Sequence, residues 1–71
     1  MTNVRHIKRQ RYYQIDVENI HKNNPNPKTK TYQGEDYETA MLQAEFDCIT
    51  NDVVKMTIIN QGWHTRCVKD E

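Results

Sequence analysis

Apolar residues follow two rhythms along this 71-residue chain, and each rhythm predicts an element. From Glu35 to Thr50, Tyr37, Ala40, Met41, Ala44 and Cys48 recur at the spacing of one face of a 3.6-residue helix. Leu42, Phe46 and Ile49 form a second stripe on nearly the opposite face, which a sheet packed against the first face cannot cover. From Arg11 to Ile20 the period is two instead. Tyr13, Ile15 and Val17 alternate with Tyr12, Gln14, Asp16 and Glu18, the pattern of a half-buried antiparallel strand.

The segment 21–28, HKNNPNPK, interrupts that alternation with two prolines and three asparagines and predicts a hairpin loop. Lys28 to Gln33 follows as a short polar edge strand with Tyr32 as its large inward residue, its lysines discouraging edge pairing. Gly34 ends it, and acids at 35, 36 and 38 suit the positive end of a helix dipole. Asp36 is placed to cap the helix start and Asn51 to close it in the left-handed conformation. Asp52 to Asn60 predicts a third strand, with Val54, Met56 and Ile58 on one face and Val53, Thr57 and Ile59 on the other. Asn60-Gln61-Gly62 reads as a tight turn with Gly62 at positive φ, and Trp63 to Val68 as a fourth strand.

The expected fold is therefore α+β: a four-stranded antiparallel sheet in β-β-α-β-β order with one helix packed on one face. Residues 1–10 are expected to be a flexible basic arm, 11–68 a single domain and 69–71 a charged tail. Two apolar surpluses remain, Leu42/Phe46/Ile49 on the helix and Val53, Ile59 and Tyr12 on the open sheet face. The helix stripe is expected to be a seam for a homodimer or another partner.

Charge sharpens this picture. Net charge is zero, yet residues 1–33 hold seven Lys/Arg against Asp16 and Glu18, while residues 35–52 hold six acids and no Lys or Arg. Such asymmetry points to a nucleic-acid or charged-protein partner. Arg5, Lys8, Arg9, Arg11, Tyr12, Lys28, Lys30 and Tyr32 are the candidate binding residues.

Chemistry has little foothold. His64 and Cys67 are spaced like metal ligands, but structural zinc needs four, and on a strand these two point to opposite faces. With only Gly34 and Gly62 there is no glycine-rich phosphate loop, nucleophile elbow or HExxH motif. One thin core leaves little room for a substrate pocket of about 300 Å³ or more. No enzyme activity, metal or cofactor is expected. Cys48 and Cys67 read as reduced, small core residues rather than a disulfide. No apolar run spans a membrane and no secretory signal precedes the domain, so a cytoplasmic location is expected, without membrane contact.

The acidic helix ETAMLQAEFDCI, the hairpin around NQGW and the lack of a catalytic signature together resemble, in organisation, short phage-encoded accessory proteins of the anti-CRISPR type. That resemblance carries no residue roles across. It implies a small non-enzymatic protein, located in the host cytosol, that binds and inhibits a larger nucleic-acid-processing complex. The alternative is a nucleic-acid-binding protein that sets its basic arm and first hairpin directly on phosphates.

Overall fold

β1 (Ile7–His21), β2 (Asn24–Gly34), α1 (Tyr37–Thr50) and β3 (Val53–Lys69) follow one another in a computed structural model that describes residues 7–69. Both β2 and β3 pair with β1 antiparallel, giving a three-stranded sheet in the order β2-β1-β3. The expected four strands are thus three, in β-β-α-β order.

The difference lies at Asn60-Gln61-Gly62, which does not turn. These residues pair with Asp16, Ile15 and Gln14, and Gly62 has no positive φ. β1 is 15 residues long and offers a partner along the whole of β3. A hairpin at Gly62 would instead fold Trp63–Val68 back on residues 53–60 and strand the backbone of residues 7–12 without a ladder.

β3 accommodates its pattern by bulging. The register slips between Asp16 and Val17, where Ile59 has no opposite residue, and between Ile20 and His21, where Val54 has none. Each extra residue shifts the inside-outside parity by one. Met56 and Ile58 therefore pack toward the helix, while Val54 and Ile59 stand exposed in the bulges. The open sheet face is correspondingly polar: Gln33-Gln14, Thr31-Asp16-Asn60 and Thr29-Glu18-Thr57 lie in rows across it. The apolar surplus expected on that face is a consequence of counting through the bulges.

The first hairpin is tighter than the prolines suggest. Only Lys22 and Asn23 separate β1 from β2, and His21 pairs with Asn24. Pro25 and Pro27 lie in the irregular stretch of β2 between the Asn19–Lys28 and His21–Asn24 pairs, on an edge where no ladder donor is lost.

The helix forms as its sequence predicts. Asp36 Oδ1 accepts the Thr39 amide at 2.9 Å, and this bonding holds the Asp36 carboxyl below its ordinary range. At the far end Asn51 is not left-handed (φ −115°), because its side chain turns back to donate to the Asp47 carbonyl at 3.1 Å. Asp52 takes the positive φ instead, at 55°, and its carbonyl accepts the Lys22 amide at 2.9 Å.

Ala40 and Ala44 let the helix lie close on Ile15 and Val17, and these four with Tyr32 are the buried apolar core. Tyr13, Met41, Met56 and Ile58 pack around its rim. At Gly34 a Cβ would come within 2.7 Å of the Ala40 amide nitrogen, so the chain can pass under the helix start only as glycine. The β2 ladder ends at the Tyr13–Gly34 pair. Beyond it, residues 7–12 and 63–69 continue alone as a two-stranded ribbon, roughly 20 Å long at ~3.4 Å per residue. The radius of gyration is 16.3 Å, against about 11 Å for a compact chain of this length. Among the described residues no helix is long and apolar enough to cross a membrane.

Candidate functional site

The ribbon gathers three of the six predicted basic residues, Lys8, Arg9 and Arg11, and adds others. Residues 7–12 and 63–69 include five Lys and Arg and no acid; Asp70 and Glu71 lie outside the described residues. The remainder, 13–62, holds four lysines against eight carboxylates, a net of −4. The molecule is thus basic at one end and acidic over its helix-covered head.

Alternation along the ladder distributes these cations over both ribbon faces. Lys8, Gln10 and Tyr12 lie opposite Val68, Arg66 and His64 on one face. Arg9, Arg11 and Tyr13 lie opposite Cys67, Thr65 and Trp63 on the other.

Aromatic contacts brace the root of the ribbon. Tyr13 meets Trp63 and Tyr37 edge-on, with ring centroids 5.2 and 5.5 Å apart. The Arg11 guanidinium lies 4.4 Å over the Trp63 ring. On the opposite face Tyr12 stacks with His64 at 5.6 Å and carries the Arg66 guanidinium at 4.6 Å. Arg66 Nε also donates to Gln10 Oε1 at 3.3 Å. An isolated two-stranded ribbon is marginal in water. Cross-strand aromatic and cation-π pairs each contribute about 0.5–1 kcal/mol at exposed sites, enough to favour one placement of both guanidiniums.

An open groove of about 770 Å³ runs along the edge of β1 where β2 leaves it. Gln10, Arg11, Gln33, Glu35 and Arg66 are among its lining residues. It exceeds the space that a thin core was expected to leave because it is built outside the core, between the ribbon root and the helix start. The two arginines come from opposite faces of the ribbon, and Glu35 adds a carboxylate to the lining.

The remaining predicted binding residues lie elsewhere. Arg5 lies outside the described residues. Lys28 and Lys30 sit on β2 opposite Asn19 and Val17, well down the head. Lys30 Nζ is committed to Asp47 at 3.0 Å. Tyr32 is buried, and its hydroxyl donates to the Asp47 carboxylate while accepting from Asn19 Nδ2 at 3.4 Å. Burial, then the bond to Asp47, pushes this hydroxyl up to about 12. The Tyr32 hydroxyl and the Lys30 ammonium hold Asp47 below its ordinary range. This cluster ties β2 to the helix, with Tyr32 buried and the Lys30 side chain 54% exposed.

Arg66 escapes the sequence reading, and Trp63 is read only as a possible stacking ring, because both are assigned to a separate fourth strand. Once Gly62 is strand, the alternation W-H-T-R sets both beside the basic residues of β1. His64 and Cys67 do lie on opposite faces. Cys67 is exposed rather than core, since no other described element packs over the ribbon; Cys48 is half-buried, with Sγ 3.7 Å from Met56 Sδ. Leu42, Phe46 and Ile49 stand on the outer helix face at 65%, 69% and 79% exposure.

Fold and site together define a small α+β protein with an acidic head and a projecting basic ribbon. Comparison with protein-family models, curated proteins and solved structures finds no match for the chain.

Proposed function

We propose that this chain is a non-enzymatic interaction protein that binds and inhibits a nucleic-acid-processing complex, engaging the complex's nucleic acid through the basic ribbon. One observation carries the reading: the cations lie on a projection from an acidic body, with no acid among its described residues, and two of them stack on rings that fix their direction. Repulsion from the head's net negative charge directs an anionic partner to the ribbon rather than the helix. Of the features that suggested an anti-CRISPR type of protein, the acidic helix is present and the NQGW hairpin is not. The proposal stands on the ribbon.

Capture from lysate with tagged protein, with and without nuclease, tests it. The Arg9→Glu/Arg11→Glu variant is expected to lose the complex that the unaltered protein retains. If that variant captures the same complex equally well, the reading is wrong.

The helix supports a second contact. Among the described residues eight large apolar side chains are exposed and five apolar residues are buried, and three of the eight form the Leu42/Phe46/Ile49 stripe. A protein surface, either a subunit of the complex or a second copy, fits this stripe. Phe46→Asp is expected to lower the apparent mass or abolish protein capture while the fold melts as before. An unchanged mass and unchanged capture would dismiss the seam.

A further inference from the structure

Resting on the reading that the ribbon meets nucleic acid, we propose that it does so by entering the major groove of duplex DNA. Arg9 and Arg11 would face one phosphate wall, and Lys8 and Arg66 the other.

Three observations select this partner. First, the cations occupy both faces of the ribbon, two on each, among the side chains described. A flat anionic surface would use one face only, whereas a groove presents phosphates on both sides. Second, the shape fits. Two paired strands lie about 4.8 Å apart, and a major groove about 12 Å wide and 8.5 Å deep admits such a ribbon. The deep, narrow major groove of A-form RNA does not. Third, the rings that could stack on single-stranded bases are already engaged. Trp63 carries Arg11 and meets Tyr13, and Tyr12 carries Arg66 and stacks with His64. A single-strand platform needs free aromatic faces.

The head then sets the depth of entry. Glu35 lines the groove at the ribbon root, and Glu38 follows in the first helical turn, so phosphates are repelled once the ribbon is seated.

Fluorescence anisotropy with a labelled 20-base-pair DNA duplex, its single strand and the matching RNA duplex, each over a salt series, tests the proposal. DNA duplex is expected to bind at least tenfold tighter than the other two. Four phosphate contacts give a slope of log K against log salt of about −3.6, since each contributes about 0.9. Arg9→Gln/Arg11→Gln and Lys8→Gln/Arg66→Gln should each reduce that slope by about 1.8, and Arg9→Lys/Arg11→Lys should restore it. Circular dichroism of each variant confirms that the ribbon has not unfolded. Equal or tighter single-strand binding, or a slope that responds to one face only, overturns the groove proposal. If the unaltered protein binds no duplex while its ribbon variants still lose the captured complex, the groove is refuted and the broader reading survives. If ribbon variants keep the complex, the broader reading fails with it.

Discussion

The head and the ribbon share two strands yet are held together by different physics. In the head, β1 is flanked by β2 and β3 and roofed by α1, so Ile15 and Val17 lose all contact with water. In the ribbon the same two strands run on with neither neighbour nor roof among the described residues, and every described side chain except Tyr12 is exposed. Hydrophobic burial therefore specifies the head, while backbone pairing and ring contacts at the root specify the ribbon. A region freed from the need to bury apolar surface can carry charge on both faces, and this one does.

That contrast can be broken most forcefully at Ile15. Ile15→Ala removes a fully buried side chain and should cost about 2–5 kcal/mol, a large share of the stability of so small a domain. Val68→Ala, on the same ladder but in the ribbon, should stay within about 0.5 kcal/mol. Urea titration followed by circular dichroism measures both, and equal losses would mean that the ribbon is part of the core.

The next effect belongs to the cluster that ties β2 to the helix. Tyr32→Phe leaves Asn19 and Asp47 without their shared hydroxyl and should cost about 1–3 kcal/mol. Its pH dependence has a definite sign. The folded Tyr32 hydroxyl titrates at about 12 and the unfolded one at 10.0, so its contribution is fully present below pH 10 and lost as pH rises toward 12. Asp47 acts oppositely: its lowered value stabilises the fold above the ordinary 3.8 and is lost as pH falls through the folded value. Tyr32→Phe should therefore flatten the alkaline fall in the urea midpoint. It should also reduce the acid dependence, because Asp47 loses its first partner. An unchanged alkaline limb would show that Tyr32 is not held by burial.

How much of this was legible in the sequence depends on whether a residue's role is local. The helix was readable because its period, its Asp36 cap and its acidic first turn are local signals. The basic residues of 8–11 were readable as charge but not as strand, because their low apolar content hides pairing that only the distant residues 65–68 supply. Asn60-Gln61-Gly62 has turn chemistry, and only the length of β1 decides that it pairs as strand instead. Two bulges also undo any face assignment made by counting alternate residues, which is why Val54 and Ile59 seemed to define apolar faces. Tyr32 read correctly as inward on its strand, and its offer as a binding residue overlooked the helix that covers it.

The smallest predicted effect sharpens that point. Nothing lies within 4 Å of a Cβ added at Gly62. Gly62→Thr should therefore keep or raise stability, by up to about 1 kcal/mol, since glycine in a strand interior costs chain entropy. A turn with positive φ would be destabilised by the same change.

The most direct test of a projecting ribbon is a set of cross-strand nuclear Overhauser effects in solution. The structure predicts contacts linking Lys8 with Val68, Gln10 with Arg66 and Tyr12 with His64. Contacts between Ile59 and Trp63 across a turn at Gly62, with residues 8–12 showing none to 64–68, would contradict it and remove the surface on which the functional account rests.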